Sequence, residues 1–141
     1  MIVLDTKVIS EAWRPHPSRE TLAWLEAQPA GSLFLCTPVL AELRYGAESL
    51  DAGLRRDRLR NAIDRLERES YRGRILPFDE AAASEYARVA VKRKRMGRRM
   101  ELMDAMIAAI AIVRRGALAT RDTRDFADLG LELVNPFEFG S

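Results

Sequence analysis

Four acidic residues stand where a carboxylate is hard to account for as solvated surface. Asp5 follows the apolar run Ile2-Val3-Leu4, and Asp122 comes just after Leu118-Ala119-Thr120. Glu42 lies within Val39-Leu40-Ala41-Glu42-Leu43, and Asp104 within Leu102-Met103-Asp104-Ala105-Met106-Ile107. An isolated buried carboxylate is expensive, and several brought together repel one another unless some stay protonated. A hard divalent cation shared among them, Mg2+ or Mn2+, removes that conflict. Such an ion also lowers the pKa of a bound water, orients a phosphodiester and stabilises the departing oxygen. Two of the acids have a plainer explanation: Asp5 as the cap of a following helix, Asp122 as a turn or N-cap aspartate; Glu42 and Asp104, on apolar helix faces, are harder to explain structurally. Asp125 is an alternative ligand near Asp122, although its place before Phe126 fits a cap better. The joint pattern carries the argument, and it favours metal-assisted phosphodiester hydrolysis.

Other catalytic chemistries are short of parts. Cys36 is the only cysteine, so disulfide frameworks, thiolate zinc sites and paired-cysteine redox chemistry are absent within one chain. His16, between Pro15 and Pro17, is the only histidine; a Ser-His-Asp triad would depend on it, and a multi-histidine metal site is impossible. The net charge is +2 with a pI of about 9.0, and the positive charge is uneven. Arg55-Arg56, Arg58, Arg60 and the run from Lys92 to Arg99 hold much of it. Basic stretches beside an acidic cluster suit a polyanion held over a metal. The Lys92–Arg99 run also reads as a solvated helix end complementing the helix dipole, the slightly favoured reading.

These residues need a scaffold that delivers them to one place. At 141 residues and 48% hydrophobic, the chain suits a single domain spanning residues 1–141. No apolar run approaches the ~20 residues of a membrane helix, and the start carries no basic leader, so a cytoplasmic protein is expected. Short apolar runs read as strands at Ile2–Leu4, Leu33–Cys36, Arg74–Leu76, Ala117–Thr120 and Glu132–Val134. Helices are expected at Ser18–Gln28, at Leu54–Arg68, and from a Thr37 N-cap with Pro38 behind it to Glu48. Asp79 should cap a further helix to about Arg95, with Gly97 ending it, and Met103–Arg115 is apolar on nearly every face. That last helix belongs in the core or at a dimer interface, and Trp13 and Trp24 read as packing or partner contacts. Alternating strands and helices imply α/β architecture with a parallel sheet covered on both faces, whose sites form beyond the carboxyl ends of the strands.

The chain resembles the PIN-domain ribonucleases, specifically the VapC-like toxins of type II toxin–antitoxin pairs, in their FitB-like branch. The carriers are Ile2-Val3-Leu4-Asp5-Thr6, Val8-Ile9-Ser10-Glu11, Ala41 to Gly46, Gly73 to Asp79, Asp104 to Ala109, Ala119 to Asp122 with Asp125-Phe126, and Val134 to Phe137. The resemblance implies a three-layer α/β/α sandwich with a mostly parallel central sheet of about five strands. It implies Mg2+- or Mn2+-dependent cleavage of RNA by water attacking phosphorus, leaving a 5′-phosphate and a 3′-hydroxyl. Position by position, Asp5, Glu42, Asp104 and Asp122 match the family's metal-site acids, and Thr6 and Thr120 match hydroxyl positions beside them. Thr6, Lys7, Thr120 and Arg121 are the candidates for positioning substrate. Such toxins dimerise and are blocked by a small antitoxin, through which the complex reaches its promoter DNA.

One departure matters: the family reads Asp-Thr-Asn at its start, and this chain reads Asp5-Thr6-Lys7. An ammonium there could contact the scissile phosphate, partly replace the cation or point into solvent. Weakened metal affinity is the expectation, and it feeds an alternative reading: a catalytically weak or inactive partner that binds an antitoxin and contributes to DNA-binding autoregulation. An aspartyl phosphatase of the haloacid-dehalogenase kind ranks low, because its second aspartate would fall where Lys7 stands.

Overall fold

The structure, a computed structural model, describes residues 1–140. The order is β1 (Ile2–Leu4), α1 (Thr6–Glu11), α2 (Arg19–Ala27), β2 (Leu33–Cys36), α3 (Thr37–Glu48), α4 (Leu54–Arg65), β3 (Ile75–Leu76), α5 (Glu80–Arg95), α6 (Leu102–Val113), β4 (Ala117–Ala119) and β5 (Leu133–Val134). A π-turn at Leu66–Ser70 extends α4, and short 3-10 turns occupy Thr123–Phe126 and Pro136–Glu138. The five strands form one sheet in the order β3-β2-β1-β4-β5, and every pairing is parallel. The α/β/α sandwich is thus present, with a sheet that is wholly parallel.

The strand order fixes where a site can form. From β1 the chain works outward through β2 and β3, then returns to the other side of β1 to lay down β4 and β5. The reversal lies between β1 and β4, where neighbouring connections diverge and leave a crevice beyond the strand ends. The register sets Leu4 of β1 beside Ala119 of β4. Asp5 and Thr120, the next residue of each strand, therefore emerge side by side.

Burial follows the apolar runs. Val3, Leu4, Leu35, Cys36, Leu118 and Ala119 are almost wholly inaccessible, as expected for strands covered on both faces. The apolar helix α6 belongs to this core: Ala105 and Ile107 through Ala111 are all buried. Small residues at Ala105, Ala108, Ala109 and Ala111 let α6 sit close, and α5 and α3 pack against it. Trp24 is buried and Trp13 packs partly buried against the same core, so both tryptophans serve packing.

Several local expectations change. Thr37 is the first helical residue of α3 rather than its cap; Cys36 takes the cap position without a side-chain bond, and the Thr37 hydroxyl accepts from the Phe78 N–H at 3.1 Å. The threonine thereby ties the end of β2 to the segment after β3. The α4 helix gives way to the π-turn after Arg65 instead of running to Arg68. The α1 helix is the one the Asp5 cap reading implies, although its six residues give too little periodicity to bound it from sequence. Asp79 does cap α5, accepting from Ala82 at 3.0 Å, and Gly97 follows its end at φ +74°, where glycine carries no Cβ penalty. Arg93 departs from the solvated reading of the basic run. It is buried, and its guanidinium donates to the carbonyls of Arg98, Asp125 and Ala127.

Candidate active site

Each of the four acids arrives on a different element. Asp5 ends β1 and caps α1; Glu42 stands in the second turn of α3; Asp104 occupies the first turn of α6; Asp122 follows β4. Three of them are joined through hydroxyls. The Thr6 hydroxyl donates to Glu42 Oε1 at 2.7 Å, while the Thr6 backbone N–H donates to Asp5 Oδ1 at 2.8 Å. The Thr120 hydroxyl donates to Asp5 Oδ2 at 2.8 Å and accepts from the Asp122 N–H at 3.0 Å. Both Asp5 oxygens are thereby used, and Thr120 is fully buried, so this part of the site is stiff.

The Asp5 cap reading is correct, and it coexists with a place in the cluster. Asp122 sits at the N-cap position of the 3-10 turn without a side-chain cap bond. Asp125 is no cap either. It lies three residues on, and the 3-10 repeat of three aligns such positions, which brings Asp125 toward the same cleft. Sequence reasoning undervalued it, and also missed Glu101 immediately before α6. An aspartate at i and i+3 around a short turn was the available signal.

Asp104 joins by charge rather than by hydrogen bonding. Burial pushes its carboxyl up to about 7, and the negative charges of Asp5, Asp125, Glu42 and Glu101 push in the same direction. Burial also raises Asp5, against the opposing pull of the Thr120 hydroxyl and the Thr6 N–H. The acids therefore occupy one electrostatic neighbourhood without enough positive charge to settle it. A cleft of about 270 Å³ opens onto it, lined by Arg93, Arg99, Met100, Glu101, Asp104 and Asp125. A larger groove of about 620 Å³ runs along α5 past Val91 and Met96, touches none of the four acids, and lacks acidic side chains in its lining.

The candidate positioning residues divide. Thr6 and Thr120 organise the acids directly. Lys7 is an exposed residue of α1, and its Nζ donates to Asp122 Oδ2 at 2.7 Å. Its ammonium neither faces solvent alone nor stands apart from the cluster; the Asp122 carboxylate holds it and raises its pKa. Arg121 instead lies over the Phe137 ring, 4.9 Å from its centroid, and makes no ion pair among the described residues. Cys36 is adjacent in the fold but inert, its thiol pushed up to about 12 by burial. His16 is exposed in the loop between α1 and α2 and takes no part.

A hard divalent cation fits this donor set in kind: carboxylates, hydroxyls and no histidine or thiolate in reach. The fit in spacing is looser. Among the described residues, no three Asp, Glu, His or Cys side chains are grouped closely enough to hold a metal ion as they stand. Loading would require the acids to draw together.

A parallel α/β sheet with acids gathered beyond the strand ends at its reversal point defines a class of site built for a charged ligand. A family model for the PIN domain matches residues 2–131. The chain belongs to the PIN-domain family. It is 41% identical over 138 residues to the VapC ribonuclease Y4jK of Sinorhizobium fredii, spanning 98% of this chain and 99% of that one. To the toxin FitB of Neisseria gonorrhoeae it is 36% identical, over 97% and 99% of the two chains. A solved chain from the structure of FitAB bound to an IR36 DNA fragment superposes with a TM-score of 0.92 at 35% identity, covering 100% of this chain and 99% of that chain.

Proposed function

We propose that this chain is a Mg2+- or Mn2+-dependent endoribonuclease and the toxin of a toxin–antitoxin pair. The observation that supports the reading is the shared electrostatic neighbourhood of Asp5, Glu42 and Asp104 beyond the strand ends, where burial and the charges of Asp5, Asp125, Glu42 and Glu101 push Asp104 up to about 7. The similarity to a named VapC ribonuclease and to FitB supports it.

In this reading Asp5, Glu42, Asp104 and Asp122 hold the ion, with Asp125 beside them. When bound, the ion supplies charge neutralisation and Lewis acidity toward water and phosphate. The chain's own groups do the rest. Thr120 and the Thr6 N–H hold both Asp5 oxygens in place, so Asp5 cannot swing away. Thr6 holds Glu42 through Oε1, leaving Oε2 to accept a proton from the attacking water. Arg99, on the cleft wall, supplies a cation for the flanking phosphate of the RNA. In this reading the partner is a small antitoxin, with promoter DNA reached through it, and two copies of the chain pair as a homodimer; the similar FitAB structure, solved bound to a DNA fragment, supports the DNA link.

Purified chain incubated with RNA and Mn2+ tests the reading. Cleavage is expected, lost in EDTA and lost in Asp5→Asn and Asp104→Asn variants that keep the parental circular dichroism. Full activity in both variants, or in EDTA, contradicts it. The Lys7–Asp122 pair favours a second reading, in which the chain is a weak or inactive nuclease serving as antitoxin partner in autoregulation. Absence of cleavage by the parent, with antitoxin binding retained, selects that reading.

A further inference from the structure

Lys7 divides the acidic cluster into two unequal halves. Its Nζ lies 2.7 Å from Asp122 Oδ2, a contact linking positions 115 residues apart in sequence. Asp122 is itself anchored, because its N–H donates to Thr120 Oγ1, which in turn donates to Asp5. The ammonium is therefore delivered to a fixed carboxylate, one whose charge reaches Asp5. On the other half, Asp5, Glu42 and Asp104 have no lysine or arginine ion pair among the described residues. The buried Arg93 nearby spends its donors on backbone carbonyls.

We propose that Lys7 is a tethered cation that fills the Asp122 side of the site, so that the chain takes up one divalent ion, on the Asp5, Glu42 and Asp104 side. This rests on the nuclease reading above and narrows it: Asp122, paired with Lys7, drops out of the set of acids that would hold the ion. The consequence is chemical. An ammonium brings a positive charge and three hydrogen-bond donors, but no Lewis acidity and no means of ionising a water. The Asp122 side can then only orient a phosphate oxygen, by Lys7 swinging from the carboxylate to the substrate. Its long stem and 62% side-chain exposure allow that movement.

Mn2+ binding measured by titration calorimetry, with free Mn2+ followed by electron paramagnetic resonance, tests the inference without reference to turnover. The parent chain and Lys7→Arg should each bind one ion. Lys7→Asn and Lys7→Gln should bind a second ion, or bind the first about 30-fold more tightly, the effect of deleting a unit charge about 4 Å from a divalent ion at the dielectric of water. Lys7 is exposed, and thermal melts in EDTA establish that the variants fold. Equal stoichiometry and affinity in the parent, Lys7→Asn and Lys7→Gln overturns the inference, while Mn2+-dependent cleavage would keep the nuclease reading. Failure of every variant and the parent to bind Mn2+ removes both.

Discussion

Asp104 should cost the metal-free protein stability, and replacing it with asparagine should make the fold stronger while removing its activity. The carboxyl titrates near 7 in the folded chain against 3.8 ordinarily, so the folded state holds its proton more tightly than the unfolded state. Stability therefore falls as pH rises from about 4 to 7; the penalty is complete above the folded value and vanishes below the unfolded one. An unscreened separation of this size corresponds to about 4 kcal/mol. Asp104 is only half-buried and, Asp5 apart, the acids around it are at least partly exposed, so screening leaves about 1–2 kcal/mol. Asparagine at this position keeps the shape and sheds the charge, which translates to a Tm about 3–8 °C higher at pH 8 in EDTA for a chain of this length. Thermal melts of parent and Asp104→Asn between pH 4.5 and 8.5 measure it. The gain should shrink steadily toward acid pH. Saturating Mn2+ should narrow it at pH 8, because an ion that binds only the folded parent stabilises that state. A variant no more stable than the parent at pH 8, or a difference that ignores pH, refutes the electrostatic account of the site.

Two further substitutions probe the supports of the acids. Thr120→Val keeps the volume of a fully buried residue but removes a donor to Asp5 and an acceptor for the Asp122 N–H; a loss of about 2–3 kcal/mol in urea denaturation is expected. A change under about 0.5 kcal/mol would mean the hydroxyl is replaceable there. Arg93→Met should cost about 2–4 kcal/mol, since three carbonyls lose their donor, and should speed hydrogen exchange across Thr123–Phe126 ahead of the sheet. Unchanged exchange in that turn would show that Arg93 does not hold it.

The legibility of the chain varied with the range of the interactions involved. Strand β1 and the Asp79 cap could be read directly, because a buried run or a side chain bonding three residues ahead is a local event. Thr37 misled because it satisfies the local rule for a cap, yet finds a better partner in Phe78 across 41 residues. Arg93 looked like one cation in a solvated run, and only the return of the chain after β4 gave it carbonyls to bury against. Asp125 was weighed only beside Asp122, because its approach to Asp104 across 21 residues is tertiary; Glu101, three residues before Asp104, was a local signal that went unread.

The sequence by itself determined the inventory: four carboxylates in apolar surroundings, one cysteine, one histidine, and alternating elements that require a covered parallel sheet. Those follow from composition and short-range periodicity, which the backbone enforces locally. Tertiary structure decided the relations. Placing β4 against β1 brought Thr120 to Asp5, the turn of α1 aimed Lys7 at Asp122, and burial with the close approach of like charges lifted Asp104. Hydrogen bonds and Coulomb forces act over ångströms of space, whereas the groups they join here are separated by as many as 115 positions of chain.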